Sequence, residues 1–176
     1  MDVAGVTCDE GESTMSDITI VGGTPEYERR IRTALRVYPP WLIRAARLSG
    51  VIIDTSPEMA SMLASYRHED RSLHVYPNLA SMMLTKAIGH ELWHGADDNY
   101  LHPHFFSSKD VWTQIHRDQA YFDIPKYREQ PLEYFADIGV KISIYGSERL
   151  KIRASREVLF FEQVVIPKLL ESFGGT

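Results

Sequence analysis

Apolar residues along this chain follow two spacings, one near two residues and one near four, and their alternation lays out the elements. DITIVGG (17–23) is a short β-branched run closed by glycines and predicts a strand. From Pro25 to Tyr38, the positions Tyr27, Ile31, Ala34, Leu35 and Tyr38 share one helical face. Proline disfavours helical geometry in the residue before it, so Tyr38-Pro39-Pro40 ends that helix. WLIRAARL then predicts a second, short helix ending at Ser49-Gly50. VIIDT (51–55) reads as a buried strand, and Ser56-Pro57-Glu58 has the cap-then-proline order that opens a helix through about Ala64. In SYRHEDRSLHVYP a polar turn at His68-Glu69-Asp70 leads into a strand from Ser72 to Tyr76, stopped by Pro77.

The second half is dominated by the longer period. From about Leu79 to Ala96 the residues Met83, Ala87, His90 and His94 recur on one side, with Leu84, Ile88, Glu91 and Leu92 adjoining, so this helix turns its histidines inward. DDNYLHPHFFSSKD is loop-like, VWTQIHRDQAYF helical and DIPKYREQ loop again. Pro131 opens the helix PLEYFADIGVKISIY, which Gly146 ends. REVLFFEQVVIPKLLESF is a last helix in which Pro167 should kink or restart the ladder. The class that follows is α+β, a small sheet ahead of an inner helix and a mostly helical C-terminal half.

Composition narrows the picture in three ways. At 176 residues, 44% apolar and 24% charged, the chain has ordinary globular usage and fits one domain over residues 18–176. The net charge of −5 comes from Asp2, Asp9, Glu10, Glu12 and Asp17, which precede every base, so residues 1–17 are expected to be a disordered acidic tail. The arginines between Arg29 and Arg47 interleave with acids and apolar residues, which argues for solvated helix faces and against a nucleic-acid surface. No apolar run approaches the roughly 20 residues of a membrane span. The first residues lack the basic and apolar regions of a secretory signal, so a cytoplasmic protein, or one exported without a cleavable signal, is expected. Cys8, the one cysteine, lies in the acidic tail, so a metal bound by the folded part must use histidine and carboxylate.

Such a set stands at 90–94, HELWH. Residues four apart on a helix differ by ~40° in direction and about one turn in height, so His90 and His94 can grip one ion. Glu91, rotated by ~100°, stands beside the ion's open position, where it can take a proton from a water molecule acidified by zinc. The motif is short, and two polar histidines on a partly exposed helix would also produce it. Catalytic zinc takes three protein ligands, so a third must be found. The metzincin pattern requires Gly at 97 and His at 100, where this chain has Asp97 and Tyr100, which excludes that class. His102 and His104 flank Pro103 in a loop. Glu133 in PLEYFADIG fits better, with Asp137 one turn on and able to accept the free ring N–H of a ligand histidine. Apolar Tyr134, Phe135 and Ile138 around them suggest a helix too buried to carry idle carboxylates.

HELWHGADD followed by EYFAD resembles the gluzincin metallopeptidases, in particular the group of anthrax lethal factor and the Pro-Pro endopeptidases. YPPWLIRAARLSGVIIDT and RSLHVYP are similar to that group's lead-in, so the resemblance spans about residues 38 to 145. It implies a zincin-like fold and zinc-dependent hydrolysis of peptide bonds. His90, His94 and Glu133 would be ligands of one Zn2+ and Glu91 the general base. The group's oxyanion-binding tyrosine falls on Lys126 here, so the neighbouring Tyr127 is the candidate, with Tyr121 a poorer one and ordinary packing the alternative for both. The strand at 72–76 would be a sheet edge along which an extended protein or peptide substrate lies, with His74 and Tyr76 near its side chains. A zincin-fold module without turnover and an amidohydrolase acting on a non-protein substrate are the competing readings.

Overall fold

The structure is a computed structural model that describes residues 18–100, 105–119 and 125–173. The expectations for the acidic tail, Cys8, His102, His104 and Tyr121 lie outside those residues. Four strands form one mixed sheet in the order β1-β2-β4-β3: β1 (Thr19–Val21), β2 (Gly50–Ile53), β3 (Ala64–Arg67) and β4 (Ser72–Val75). The first, second and fourth run parallel, and β3 is antiparallel to β4. Parallel neighbours need a crossover, which α1 (Pro25–Leu35) and α2 (Pro40–Ala45) provide between β1 and β2. Thr24 caps α1 by accepting from the Tyr27 amide at 3.2 Å, and Pro25 occupies its first turn.

The strand at 72–75 is not the sheet edge that the family resemblance implies. It lies between β2 and β3, and β3 is the edge. All four residues of β4 are buried. Its two polar side chains find partners internally, Ser72 in Asp70 and one ring nitrogen of His74 in Asp54, with His74 Nδ1 2.9 Å from Asp54 Oδ2. The edge strand itself replaces the predicted helix end at Ala64, and the polar turn expected at His68-Glu69-Asp70 follows it. The helix α3 (Pro57–Met62) stops early because Leu63 takes a left-handed φ of 69°, which swings the chain back antiparallel. That conformation costs of order 1–3 kcal/mol. The β3–β4 ladder and the Tyr66 hydroxyl, which donates to the Ala46 carbonyl, oppose the cost.

The helix α4 (Ser81–Tyr100) runs a turn beyond its apolar period, through DDNY. Partners from other segments hold those polar residues in helical geometry. Asp97 accepts from the Phe106 amide at 2.6 Å and the Ser107 amide at 3.2 Å, Asp98 meets His68 at 2.6 Å, and Asn99 donates to the Ala46 carbonyl at 2.9 Å. After α5 (Asp110–Asp118), residues Pro125–Glu129 form a 3₁₀ turn where a loop was expected. Then follow α6 (Pro131–Tyr145), α7 (Ser147–Lys151), α8 (Ser155–Phe160) and α9 (Ile166–Phe173). Pro167 has no N–H for the carbonyl of Gln163, and the chain widens to π-helical geometry over Phe161–Val165 before the α-helix resumes at Ile166, a restart of the ladder next to the proline. No described helix is long and apolar enough to cross a membrane.

Helices α4 and α6 pack antiparallel. Trp93 fixes them: its indole is 1% exposed, and a Cβ placed on Gly139 would stand 2.5 Å from it. The indole N–H also reaches Ser143 Oγ at 3.3 Å, and the ring meets Trp41, Phe135 and Phe161 edge-on. Gly89 is a second close approach, where a side chain would collide with the Tyr38 hydroxyl that donates to the Thr85 carbonyl at 2.7 Å. The space beside Gly89 therefore belongs to Tyr38.

Candidate metal centre

Within HELWH, Leu92 and Trp93 point into the core, which leaves His90, Glu91 and His94 on the opposite side of α4. That side forms the floor of an open groove of about 1010 Å³, with α6 as one wall and the end of α3 with the start of β3 as the other. Because α6 is locked to α4 at Trp93, its first turn brings Glu133 over both histidines. His90 Nε2 stands 3.2 Å from Glu133 Oε2, His94 Nε2 3.3 Å from Glu133 Oε1, and the two ring nitrogens 3.0 Å apart. These three side chains are the metal-capable cluster found among the described residues.

The spacing suits one divalent ion. Zinc bonds of about 2.0–2.1 Å at tetrahedral angles put ligand atoms about 3.3 Å apart; here the ring nitrogens are 3.0 Å apart, each meets a different oxygen of the Glu133 carboxylate, and one ligand atom from each residue lies within 4.8 Å of the others. Two imidazole nitrogens and a carboxylate oxygen are also a donor set that zinc and its neighbours in the first transition series accept. The site is electrostatically coherent. Hydrogen bonds with His90 and His94 hold the Glu133 carboxyl far below its ordinary range. Burial alone would lower His94, but the Glu133 hydrogen bond and the nearby charges of Glu91 and Glu133 overcome it and raise that ring.

Glu91 lines the same groove beside the three-residue cluster, rotated from the two histidines by its position in the helix. Its Oε2 accepts from the Tyr66 backbone amide at 3.0 Å. Desolvation raises its carboxyl, opposed by the charges of His94 and His90 and by that amide. The Tyr66 contact was not foreseen; the signal for it was the alternation Ala64-Ser65-Tyr66-Arg67 ahead of a polar turn, which marks a hairpin strand. The Tyr76 amide donates to the Leu63 carbonyl at 2.9 Å, so alternate residues of β3 face β4 while Ala64 and Tyr66 turn their backbone groups outward, toward α4.

Tyr127 lines the same groove, buried, in the 3₁₀ turn ahead of α6. Its carbonyl accepts from His116 Nε2 at 2.6 Å. Burial first, then the charges of Asp137 and Glu133, push its phenol well above the ordinary value, so the hydroxyl keeps its proton. Asp137 also lines the groove, but its carboxylate is held at 2.8 Å by Lys141, one turn along α6. His94 Nδ1 is buried without a hydrogen-bond partner among the described residues, so Asp137 does not orient that ring. His74 and Tyr76 do not shape the groove: His74 is tied to Asp54, and the Tyr76 carbonyl accepts from the Tyr27 hydroxyl at 2.8 Å. Comparison of the chain with protein-family models, curated proteins and solved structures found no match. The description that geometry supports is a zincin-like site for one divalent metal, built on a helix pair beside a small mixed sheet.

Proposed function

We propose that the protein is a zinc-dependent endopeptidase of the gluzincin type. The observation that carries this reading is the convergence of His90, His94 and Glu133, with Glu91 beside them in an open groove floored by the same helix. A purely structural metal site is closed by four ligands and has no use for a base next to it. Zinc held by these three residues would acidify a water molecule to a pKa near 7 and polarise a carbonyl. Glu91 accepts the proton of the attacking water and passes it to the departing amine; the Tyr66 amide holds its carboxylate in place for both transfers. Tyr127 donates its retained proton in a hydrogen bond to the oxygen that gains charge.

An extended peptide is the substrate that suits the wall. Ala64 turns its N–H and C=O outward along the edge strand β3, and a peptide laid there would pair with them as a fifth strand. The edge available for that is 64–67, in place of the 72–76 strand expected from the sequence. The test is digestion of a diverse peptide library by the parent and by Glu91→Gln, together with metal analysis of both. The reading predicts about one zinc per chain in each and cleavage by the parent alone. Metal bound without any cleavage by the parent would reduce the protein to a binding module.

A further inference from the structure

One end of the groove takes no part in the chemistry above. Toward the start of α4 its wall is formed by Met62, Met82 and Met83, exposed at 53, 58 and 48%, with Tyr145 of α6 across from them. Three exposed methionines gathered on one concave surface are more than solvation explains, and thioether chains adapt to many apolar partners.

Lys86 stands within this patch. It precedes His90 by four residues on α4, so the two project from the same helix face about one turn apart. Its ammonium lies 5.9 Å from the centre of the Tyr145 ring and makes no ion pair with any described residue. The other lysine of the groove, Lys141, is bound to Asp137. Lys86 is thus a cation beside the metal centre, flanked by apolar side chains, that lacks a carboxylate. A peptide strand advances about 3.3 Å per residue, so one helical turn, ~5.4 Å, corresponds to about two residues of substrate.

We propose that Lys86 sets the specificity of the site by pairing with a carboxylate on the peptide, an acidic side chain one or two residues from the scissile bond, while the methionines receive an apolar side chain beside it. This rests on the peptidase reading and names its substrate class: peptides with an apolar residue next to an acidic one. The apolar flank partly desolvates the pair, which makes the contact stronger than an ion pair in open water.

The test uses zinc-loaded Glu91→Gln protein and acetylated, amidated peptides with a central Leu. Glu, Ala or Lys is placed one or two residues to either side, and binding is read by fluorescence polarisation. The Glu peptides should bind about three- to tenfold tighter than the Ala peptides on one side of the Leu, with Lys peptides weakest. Adding Lys86→Glu should reverse that order, and Lys86→Met should level it while retaining the preference for Leu. Because Lys86 is exposed, all forms should melt together. Equal binding of all peptides, no binding at all, or an order that survives Lys86→Glu would overturn the proposal. Digestion of the same peptides by the parent separates the two ideas. Cleavage indifferent to charge leaves the peptidase and removes the role of Lys86, whereas charge-ordered binding without cleavage keeps Lys86 as a carboxylate reader and removes the peptidase.

Discussion

His74 meets Asp54 at 2.9 Å on the sheet, and His90 meets Glu133 at 3.2 Å between two helices. The partners are chemically alike, yet one contact is a closed pair and the other a part of a metal centre. On the sheet, neighbouring parallel strands bring together one ring and one acid, and the second ring nitrogen is buried without a partner among the described residues. Between the helices, the four-residue spacing on α4 supplies a second ring, the antiparallel packing of α6 supplies the acid, and a groove admits a ligand. What separates a metal site from a structural contact is thus the number of donors aimed at one point and access to it, more than the pairing of histidine with acid.

That contrast can be broken experimentally. The largest effect should be on metal: His94→Ala or Glu133→Ala should bring zinc from about one per chain to near none, while His74→Ala leaves it unchanged by mass spectrometry of the native protein. Equal losses from the sheet and helix variants would erase the distinction. Glu91→Gln should keep the metal and slow peptide cleavage by about 10²–10⁴-fold, measured under single-turnover conditions. Trp93→Ala, which removes the wedge between α4 and α6, should cost about 3–5 kcal/mol in urea unfolding and weaken zinc binding as the helices lose register. Tyr127→Phe should lower kcat by about 10²-fold with KM little changed, if its hydroxyl serves the developing oxyanion.

The smallest effect concerns the sheet pair. The hydrogen bond from His74, with those from Ser56, lowers the Asp54 carboxyl to about 2 from an ordinary 3.8. A depressed carboxyl contributes stability that is present above the unfolded value and lost as pH falls through the folded one. Unfolding midpoints of the parent should therefore drop between about pH 4 and pH 2 more than those of Asp54→Asn, and parallel curves would show that the pair adds nothing.

Much of this was legible in one dimension. HELWH fixes two rings and a carboxylate relative to one helix, because helical geometry is local, and the helix starts marked by the Thr24 cap and by Pro131 in the first turn are local as well. Glu133 was legible as an acid in an apolar helix. The edge strand was not, since β3 is four residues long and depends on Leu63 adopting a left-handed conformation that its own side chain disfavours. The continuation of α4 through Asp97, Asp98 and Asn99 was hidden for a related reason: short polar side chains favour turns by themselves, and only partners from other segments keep these in a helix.

By itself, then, the sequence determined which atoms could bind a metal and the direction in which α4 presents two of the three ligands, because bond geometry and helical pitch act between near neighbours. The tertiary structure decided that Glu133 arrives at hydrogen-bonding distance, that the Tyr66 amide holds Glu91, and that β3 instead of β4 borders the groove. Those outcomes depend on how Trp93 seats against Gly139 and how four strands order themselves, and such packing is settled by contacts between residues far apart in the chain.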